Sequence, residues 1–172
     1  EPFLEWLNPN NKKKYNWGET SNNIQKLAKV LKNNIENGDR CLLVSENRPE
    51  WLISDLAIML ANGITVPAYT TYTEKDYEYL VEDCKPSVII VSNNEIYNKL
   101  KNIIEQKNFI KKVITFDEIK NIKQEDKYLN FNSIINYQLD KNEKIKNEMA
   151  VGYLINDHNG YSVLFEKMLK PV

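Results

Sequence analysis

The 172-residue chain has little of what several protein classes require. Its two cysteines, Cys41 and Cys84, have no Cys or His partner nearby, which excludes a disulfide-rich scaffold and a zinc ribbon. No apolar run approaches the roughly 18–20 residues of a membrane span, and the first residues lack the pattern of a secretion signal. The sequence also lacks a starting Met, and we expect the chain to have been cut at its N-terminus.

An excess of charge of one sign is also absent. The 23 Lys and Arg residues nearly balance the 24 Asp and Glu residues, giving a net charge of −1. That balance argues against a nucleic-acid binder that neutralises phosphates. With 42% hydrophobic and 27% charged residues, the composition is that of a globular protein and excludes a disordered or coiled-coil chain. The length fits one domain or a piece of a larger one.

Short apolar runs alternate with amphipathic segments through the middle of the chain. The unbroken runs predict strands buried on both faces, at residues 41–44, 64–69, 88–91 and 113–116. Apolar spacing of three or four residues predicts helices at 22–35, 50–61, 73–83 and 94–105. Because such units join by right-handed crossovers, residues 20–117 predict a doubly wound, mostly parallel α/β layer.

The residues around these segments predict where the helices begin and end. Asn-Gly pairs at 37–38 and 62–63 are expected to end the first two helices. Pro67 indicates a strand near a sheet edge or a bulge, since proline cannot donate to a ladder. The expected N-caps are Thr20 or Ser21 for the first helix, Asn47 with Glu50 for the second, and Thr73 with Asp76 for the third.

The two ends of the chain do not follow this pattern. Residues 3–6 and 14–17 flank a turn-rich Asn-Pro-Asn-Asn and predict an N-terminal β-hairpin. Residues 118–150 are rich in Lys, Asn and Glu and predict a solvated linker with a small docked apolar cluster, formed by Phe131, Ile134 and Ile135. Residues 151–155 fit a strand, and residues 162–169 fit either a strand or a helix.

Few residues suggest catalysis or binding. The single histidine, His158, lies in an Asn/Asp/Gly turn and is expected to be an exposed loop residue. The acidic residues of 46–83 fit caps and solvent faces, so no metal site is predicted, and five glycines in all form no phosphate loop. Ligands of open α/β sheets bind beyond the carboxyl ends of the strands. The candidate substrate-binding residues there are Asn47, Arg48, Thr70 and Thr71.

Arg48 has two possible roles at that position. It can clamp a phosphate or a carboxylate, because its guanidinium forms bidentate hydrogen bonds to such groups. The expected role is instead a structural or surface pairing at the start of the second helix.

Several short motifs occur in the order and spacing of one known family. They are Trp17-Gly18-Glu19, Gly38-Asp39-Arg40, the segments 45–51 and 63–71, and Pro86-Ser87. Through them, residues 2–117 resemble the N-terminal part of AMP-forming acyl-CoA synthetases, above all bacterial long-chain fatty-acid–CoA ligases. The resemblance implies a flavodoxin-like α/β layer over residues 1–117, a polar linker over 118–147 and a divergent tail over 148–172.

This family joins a carboxylic acid to ATP and passes the acyl group from the adenylate to coenzyme A. For an intact enzyme, the resemblance implies ATP, Mg2+ and coenzyme A, a fatty acid as substrate, and a cytoplasmic or peripheral inner-membrane location. The family's Ser/Thr/Gly phosphate loop, which ends in Pro-Lys-Gly, has no counterpart at residues 150–157. No catalytic residue is therefore assigned, and we expect the isolated chain to be inactive and to bind none of these cofactors tightly.

The resemblance leaves several interpretations open. The chain is expected to be the N-terminal fragment of such a ligase, either a truncated or frame-disrupted product or a split subunit completed by a separate chain. The alternative is a non-catalytic binding or scaffolding module with the same fold. An unrelated flavodoxin-like or receiver-type domain requires a phosphate loop or an acidic trio at the strand ends, and the sequence shows neither.

Overall fold

A computed structural model describes residues 2–7, 12–119 and 125–136. The strands are β1 Pro2–Trp6, β2 Lys13–Asn16, β3 Arg40–Val44, β4 Ile64–Ala68, β5 Val88–Val91, β6 Lys112–Thr115 and β7 Tyr128–Asn130. The α-helices are α1 Trp17–Lys32, α2 Pro49–Leu60, α3 Glu74–Cys84, α4 Asn94–Gln106 and α5 Phe131–Asn136. A 3₁₀ turn, Glu125–Lys127, precedes β7. Among the helices of these ranges, none is long and apolar enough to cross a membrane.

Five strands form one parallel sheet in the order β4-β3-β5-β6-β7. Numbered from the first strand of the sheet, that order is 2-1-3-4-5, the flavodoxin-like arrangement. β1 and β2 form a separate antiparallel hairpin. The predicted fold class, parallel layer and N-terminal hairpin are thereby confirmed, and β4, which contains Pro67, lies at an edge of the sheet as predicted.

The sheet separates two apolar cores. Alternate residues of a strand point to opposite faces, so neighbouring leucines of β3 enter different cores. Leu43 packs in the core with α1, α2 and α5, while Leu42 packs in the core with α3 and α4. Both leucines are completely buried, as expected for a central strand that is covered on both sides.

The start of α1 differs from the prediction. The helix begins at Trp17, and its N-cap is Asn16. The Asn16 side chain accepts a hydrogen bond from the Glu19 amide at 2.9 Å, and the Glu19 carboxylate accepts one from the Asn16 amide at 2.9 Å. Thr20 and Ser21 are therefore wrong as caps and lie inside the helix. The apolar periodicity begins only at Ile24, so the polar first turn was not recognised as helical.

The start of α2 also corrects the sequence prediction. Its N-cap is Arg48, without a capping hydrogen bond from the side chain, and Pro49 occupies the first turn as expected. The predicted cap formed by Asn47 and Glu50 is wrong, because the Glu50 carboxylate binds Arg48 and Lys13 instead. The capping box that joins Thr73 and Asp76 at the start of α3 is confirmed.

The end of α1 differs from the prediction, whereas α2 ends just before the predicted Asn62-Gly63 pair. α1 ends at Lys32, and Gly38, with φ of 84°, lies in the link that follows. After α2 the left-handed residue is Asn62, with φ of 63°. Gly63 is required for close packing, because a Cβ at this position would lie 2.9 Å from the Ile35 side chain.

The sheet continues past residue 117, the predicted end of the α/β part. β7 lies within the segment predicted as a polar linker and pairs with β6. Its three residues are all half-buried, too few and too mixed in polarity to give an apolar-run signal. The predicted docked cluster is present, because Phe131 is completely buried and packs edge-to-face on Phe116, with ring centroids 5.5 Å apart. His158, the predicted elements at 151–155 and 162–169, and the tail at 148–172 lie outside the described residues.

Candidate functional site

The carboxyl ends of the parallel strands bring four loops to one edge of the sheet. They are residues 45–48 after β3, 69–71 after β4, 92–93 after β5 and 116–117 after β6. Two backbone hydrogen bonds tie three of the loops together. The Ser92 amide donates to the Val44 carbonyl at 3.1 Å, and the Asp117 amide donates to the Ser92 carbonyl at 2.9 Å. This edge is where an open α/β sheet usually binds its ligands.

Arg48 lies buried across this edge. Its side chain is only 4% exposed, and its guanidinium donates to both carboxylate oxygens of Glu50, at 2.9 and 3.3 Å. The same guanidinium donates to Asp117 Oδ1 at 3.1 Å. Arg48 follows β3 and Asp117 follows β6, with β5 between these strands, so the contact passes over the carboxyl end of β5. The structural pairing expected for Arg48 is therefore present.

Two aromatic rings also contact the Arg48 guanidinium. Its central carbon lies 4.5 Å from the ring centroid of Trp6 and 5.3 Å from that of Phe116. Cation–π contacts of this kind strengthen when the cation is withdrawn from water. Because Trp6 belongs to β1, Arg48 connects the N-terminal hairpin to the main sheet.

Glu50 completes the cluster from the first turn of α2. Its side chain is 1% exposed and accepts a hydrogen bond from Lys13 Nζ at 2.5 Å in addition to those from Arg48. Burial alone would raise the pKa of the Glu50 carboxyl, but the bonds from Arg48 and Lys13 outweigh burial and hold this pKa below its ordinary value. Burial alone would lower the pKa of Arg48, and its bonds to Glu50 and Asp117 raise it instead.

The cluster balances its own charges. Lys13 and Arg48 carry two positive charges, which Glu50 and Asp117 match with two negative charges. A buried charge needs such partners, because an isolated ion in a poorly solvated site is strongly disfavoured. The hydrogen-bonding face of Arg48 is thus occupied by groups of the protein itself.

The other sequence candidates lie apart from Arg48. Asn47 is exposed beside the cluster, and Thr71 is exposed in the turn after β4. Thr70 is half-buried, and its backbone carbonyl accepts a hydrogen bond from Lys99 Nζ at 3.1 Å. The contacts of the described residues therefore place all four candidates at the same edge without joining them into one cluster.

The crevice between β3 and β5 is where the strand order reverses. Asn93 Nδ2 donates to Glu46 Oε1 there at 2.7 Å, and Asn93 Oδ1 accepts from the Ile96 amide as the cap of α4. Ser92 beside them is completely buried, and its hydroxyl has no hydrogen-bond partner within the described ranges. Polar side chains of the loops after β3 and β5 thus contact each other at this crevice.

Sequence reasoning missed three members of the cluster. Trp6 and Lys13 come from the hairpin, and Asp117 lies 69 residues after Arg48 along the chain. No local spacing signals such contacts. Glu50 was predicted as part of a helix cap with Asn47. An acidic residue two positions after an arginine at the start of a helix can equally pair with that arginine, as Glu50 does with Arg48.

Among the described residues, the side chains that could bind Mg2+ are not gathered into one group. The part of the chain given in the structure holds no group of three or more His, Cys, Asp or Glu side chains that could bind a metal ion. At the carboxyl edge, Glu50 and Asp117 are already paired with cations.

The fold of the chain is similar to the folds of solved CoA ligases and synthetases. It resembles acetoacetyl-CoA synthetase from Streptomyces lividans, with a TM-score of 0.70 and 15% identity, over 81% of this chain and 23% of that one. It also resembles an anthranilate CoA ligase solved with anthranoyl-AMP, with a TM-score of 0.64 and 24% identity, over 77% of this chain and 24% of that one. At these identities the likeness shows the fold alone.

The sequence comparisons then give the family. The family model described as "AMP-binding enzyme" matches residues 2–152, and the chain belongs to this family. A long-chain-fatty-acid–CoA ligase of Rattus norvegicus, ACSBG1, is 30% identical over 95 residues, which are 55% of this chain and 13% of that protein. The predicted resemblance is confirmed, and the family match extends beyond residue 117. The chain spans only a small part of the length of these relatives.

Proposed function

We propose that this chain is the N-terminal α/β part of an AMP-forming ligase that activates a long-chain fatty acid and transfers it to coenzyme A. The observation that carries the proposal is the family match over residues 2–152. The flavodoxin-like order of the parallel sheet agrees with it. The similarity to a rat long-chain-fatty-acid–CoA ligase supports the fatty-acid substrate. ATP, Mg2+ and coenzyme A belong to the reaction of the whole enzyme, in which Mg2+ offsets the charge of the phosphates.

The described residues have a supporting role in this enzyme. The carboxyl edge of the sheet is fixed by the ion cluster of Arg48, and its buried charges are already paired. Asn47 and Thr71 have exposed side chains and Thr70 is half-buried, so we propose these three as contacts to substrate or to the rest of the enzyme. Arg48 shapes the edge instead of clamping a phosphate.

The chain by itself is expected to be inactive. Adenylation needs groups that stabilise the charge developing on the phosphates, and residues 150–157 lack the Ser/Thr/Gly phosphate loop with which the family supplies them. The remainder of the ligase, in the same polypeptide or in a separate chain, provides them. We place the enzyme in the cytoplasm or peripherally at the inner face of the membrane, where long-chain fatty acids partition.

Two assays test the proposal. The purified chain, given ATP, Mg2+ and palmitate, is expected to form no acyl-adenylate that hydroxylamine can trap, and trapped product above a boiled control contradicts the inactivity. In the second assay, the matched 95-residue segment of the rat ligase is replaced by the equivalent residues of this chain. Palmitate-dependent exchange of pyrophosphate into ATP is expected.

The control is the same rat ligase carrying an unrelated flavodoxin-like domain of equal topology. Circular dichroism and gel filtration identify replacements that fail to fold, and the rat segment is then exchanged in two shorter pieces. If every folded replacement is as inactive as the control, the ligase proposal is wrong. The non-catalytic scaffolding module then becomes the better description.

A further inference from the structure

The N-terminal hairpin depends on contacts outside the main sheet. Within the described residues, β1 and β2 pair with each other and with no third strand. An isolated two-stranded hairpin is at best marginally stable in water. Phe3 stacks on Trp17, with ring centroids 3.6 Å apart. Trp6 contacts the Arg48 guanidinium, and Lys13 binds Glu50. Phe3 and Leu4 also pack against the apolar core, and the Arg48 cluster adds the charged and cation–π contacts that hold the hairpin.

The far side of the cluster reaches the opposite part of the sheet. Arg48 donates to Asp117, whose backbone carbonyl accepts a hydrogen bond from Asn130 Nδ2 at 3.4 Å at the end of β7. One guanidinium therefore touches the hairpin through Trp6 and the loop after β6 through Asp117. Its planar fork can satisfy these partners only in one orientation. Losing Asp117 removes the bond that ties the guanidinium to the loop after β6 and leaves its two bonds to Glu50.

From this arrangement we infer that Arg48 is a positioning residue that couples the docking of the N-terminal hairpin to Asp117. The hairpin acts as a strap over the carboxyl edge, and Asp117 fixes the orientation of the guanidinium on which Trp6 rests. A change at the end of β6 is thereby felt at β1, more than 100 residues earlier in the chain. The inference does not depend on the proposed enzymatic function.

Hydrogen exchange of the complete chain tests the coupling. Asp117→Asn keeps the shape of the side chain but removes its charge. The amides of β1 and β2 are expected to exchange about two- to five-fold faster, the range for one ion pair with a half-exposed partner. The amides of α3 and α4 are expected to keep their rates, which distinguishes a loosened strap from general destabilisation.

A matched control uses another ion pair between separate elements. Glu82 of α3 pairs with Lys107, and its side chain is 47% exposed, close to the 51% of Asp117. Glu82→Gln removes a comparable charge without touching the cluster. It is expected to leave exchange in the hairpin unchanged, and an equal acceleration in both variants would show that the effect is not specific to the cluster.

A double variant locates the path of the coupling. Trp6→Leu removes the ring on which the guanidinium rests, so adding Asp117→Asn is then expected to have little further effect on hairpin exchange. Two outcomes overturn the inference. One is unchanged hairpin exchange in Asp117→Asn, and the other is full additivity of the two substitutions, which would mean that Trp6 and Asp117 act independently.

Discussion

Replacing Phe131 by alanine tests whether the residues after β6 belong to the folded core. Its side chain is completely buried and meets Phe116 edge-to-face, with ring centroids 5.5 Å apart. Removing a buried phenylalanine side chain costs about 3–5 kcal/mol, of which the ring pair accounts for about 0.5–1.5 kcal/mol. α5 has only six residues and can partly collapse into the cavity, so we expect Phe131→Ala to destabilise the chain by about 3 kcal/mol.

The assay is urea unfolding followed by circular dichroism, with the slope compared between variants. Leu7→Ala is the matched control, because Leu7 is 81% exposed and its truncation is expected to change the free energy of unfolding by less than about 0.5 kcal/mol. A loss below about 1 kcal/mol for Phe131→Ala would refute the reasoning. Residues 118–147 would then behave as the solvated linker that their composition predicts.

Three further predictions concern glycines, serines and acid stability. Gly63→Ala is expected to lower the free energy of unfolding by about 1–3 kcal/mol, because its Cβ would lie 2.9 and 3.0 Å from two isoleucine side chains. Gly18→Ala, in the first turn of α1, should raise the free energy of unfolding by about 0.5 kcal/mol. If urea unfolding finds Gly63→Ala more stable than Gly18→Ala, both expectations are contradicted. Ser54→Ala removes from α2 a buried hydroxyl that has no hydrogen-bond partner among the described residues, and should stabilise by about 0.5–1 kcal/mol. Ser87→Ala removes a hydrogen bond to the Asp39 carboxylate and should destabilise by about 1–2 kcal/mol in the same assay. Because the folded state lowers the pKa of Glu50, its contribution is complete above the ordinary value of 4.5 and is lost as the pH falls below it. Glu50→Gln should therefore flatten the decline of Tm below pH 4.5, and an unchanged pH profile would count against the cluster.

The alternation of strands and helices was predictable because it rests on local patterns. A run such as Val88–Val91 is apolar at every position and needs cover on both faces, which only a central strand of a layered sheet provides. The capping box of Thr73 and Asp76 was equally readable, since both of its hydrogen bonds span three residues. The edge position of Pro67 followed from its missing amide donor.

The predictions that were wrong or missing involve residues that are far apart in sequence, or residues that fit two different roles. Glu50 fits a capping box by spacing, but its carboxylate binds two cations, one of them in the hairpin 37 residues earlier. β7 carries too little apolar sequence to be recognised and forms because β6 offers a free edge. The candidate site was predicted only in part for the same reason, since its contacts join residues far apart in sequence. Arg48 was identified as notable, but its partner Asp117 lies 69 residues away, and only the fold brings the two together.

We propose that this chain forms the first part of an AMP-forming ligase, and sequencing the gene past the codon of Val172 in all reading frames tests that proposal. We expect a frame that encodes a loop rich in Ser, Thr and Gly and ending in Pro-Lys-Gly, the phosphate loop that residues 150–157 lack. If no frame encodes such a loop, and no neighbouring gene does, the chain is not part of a ligase, and its sheet serves as a binding module.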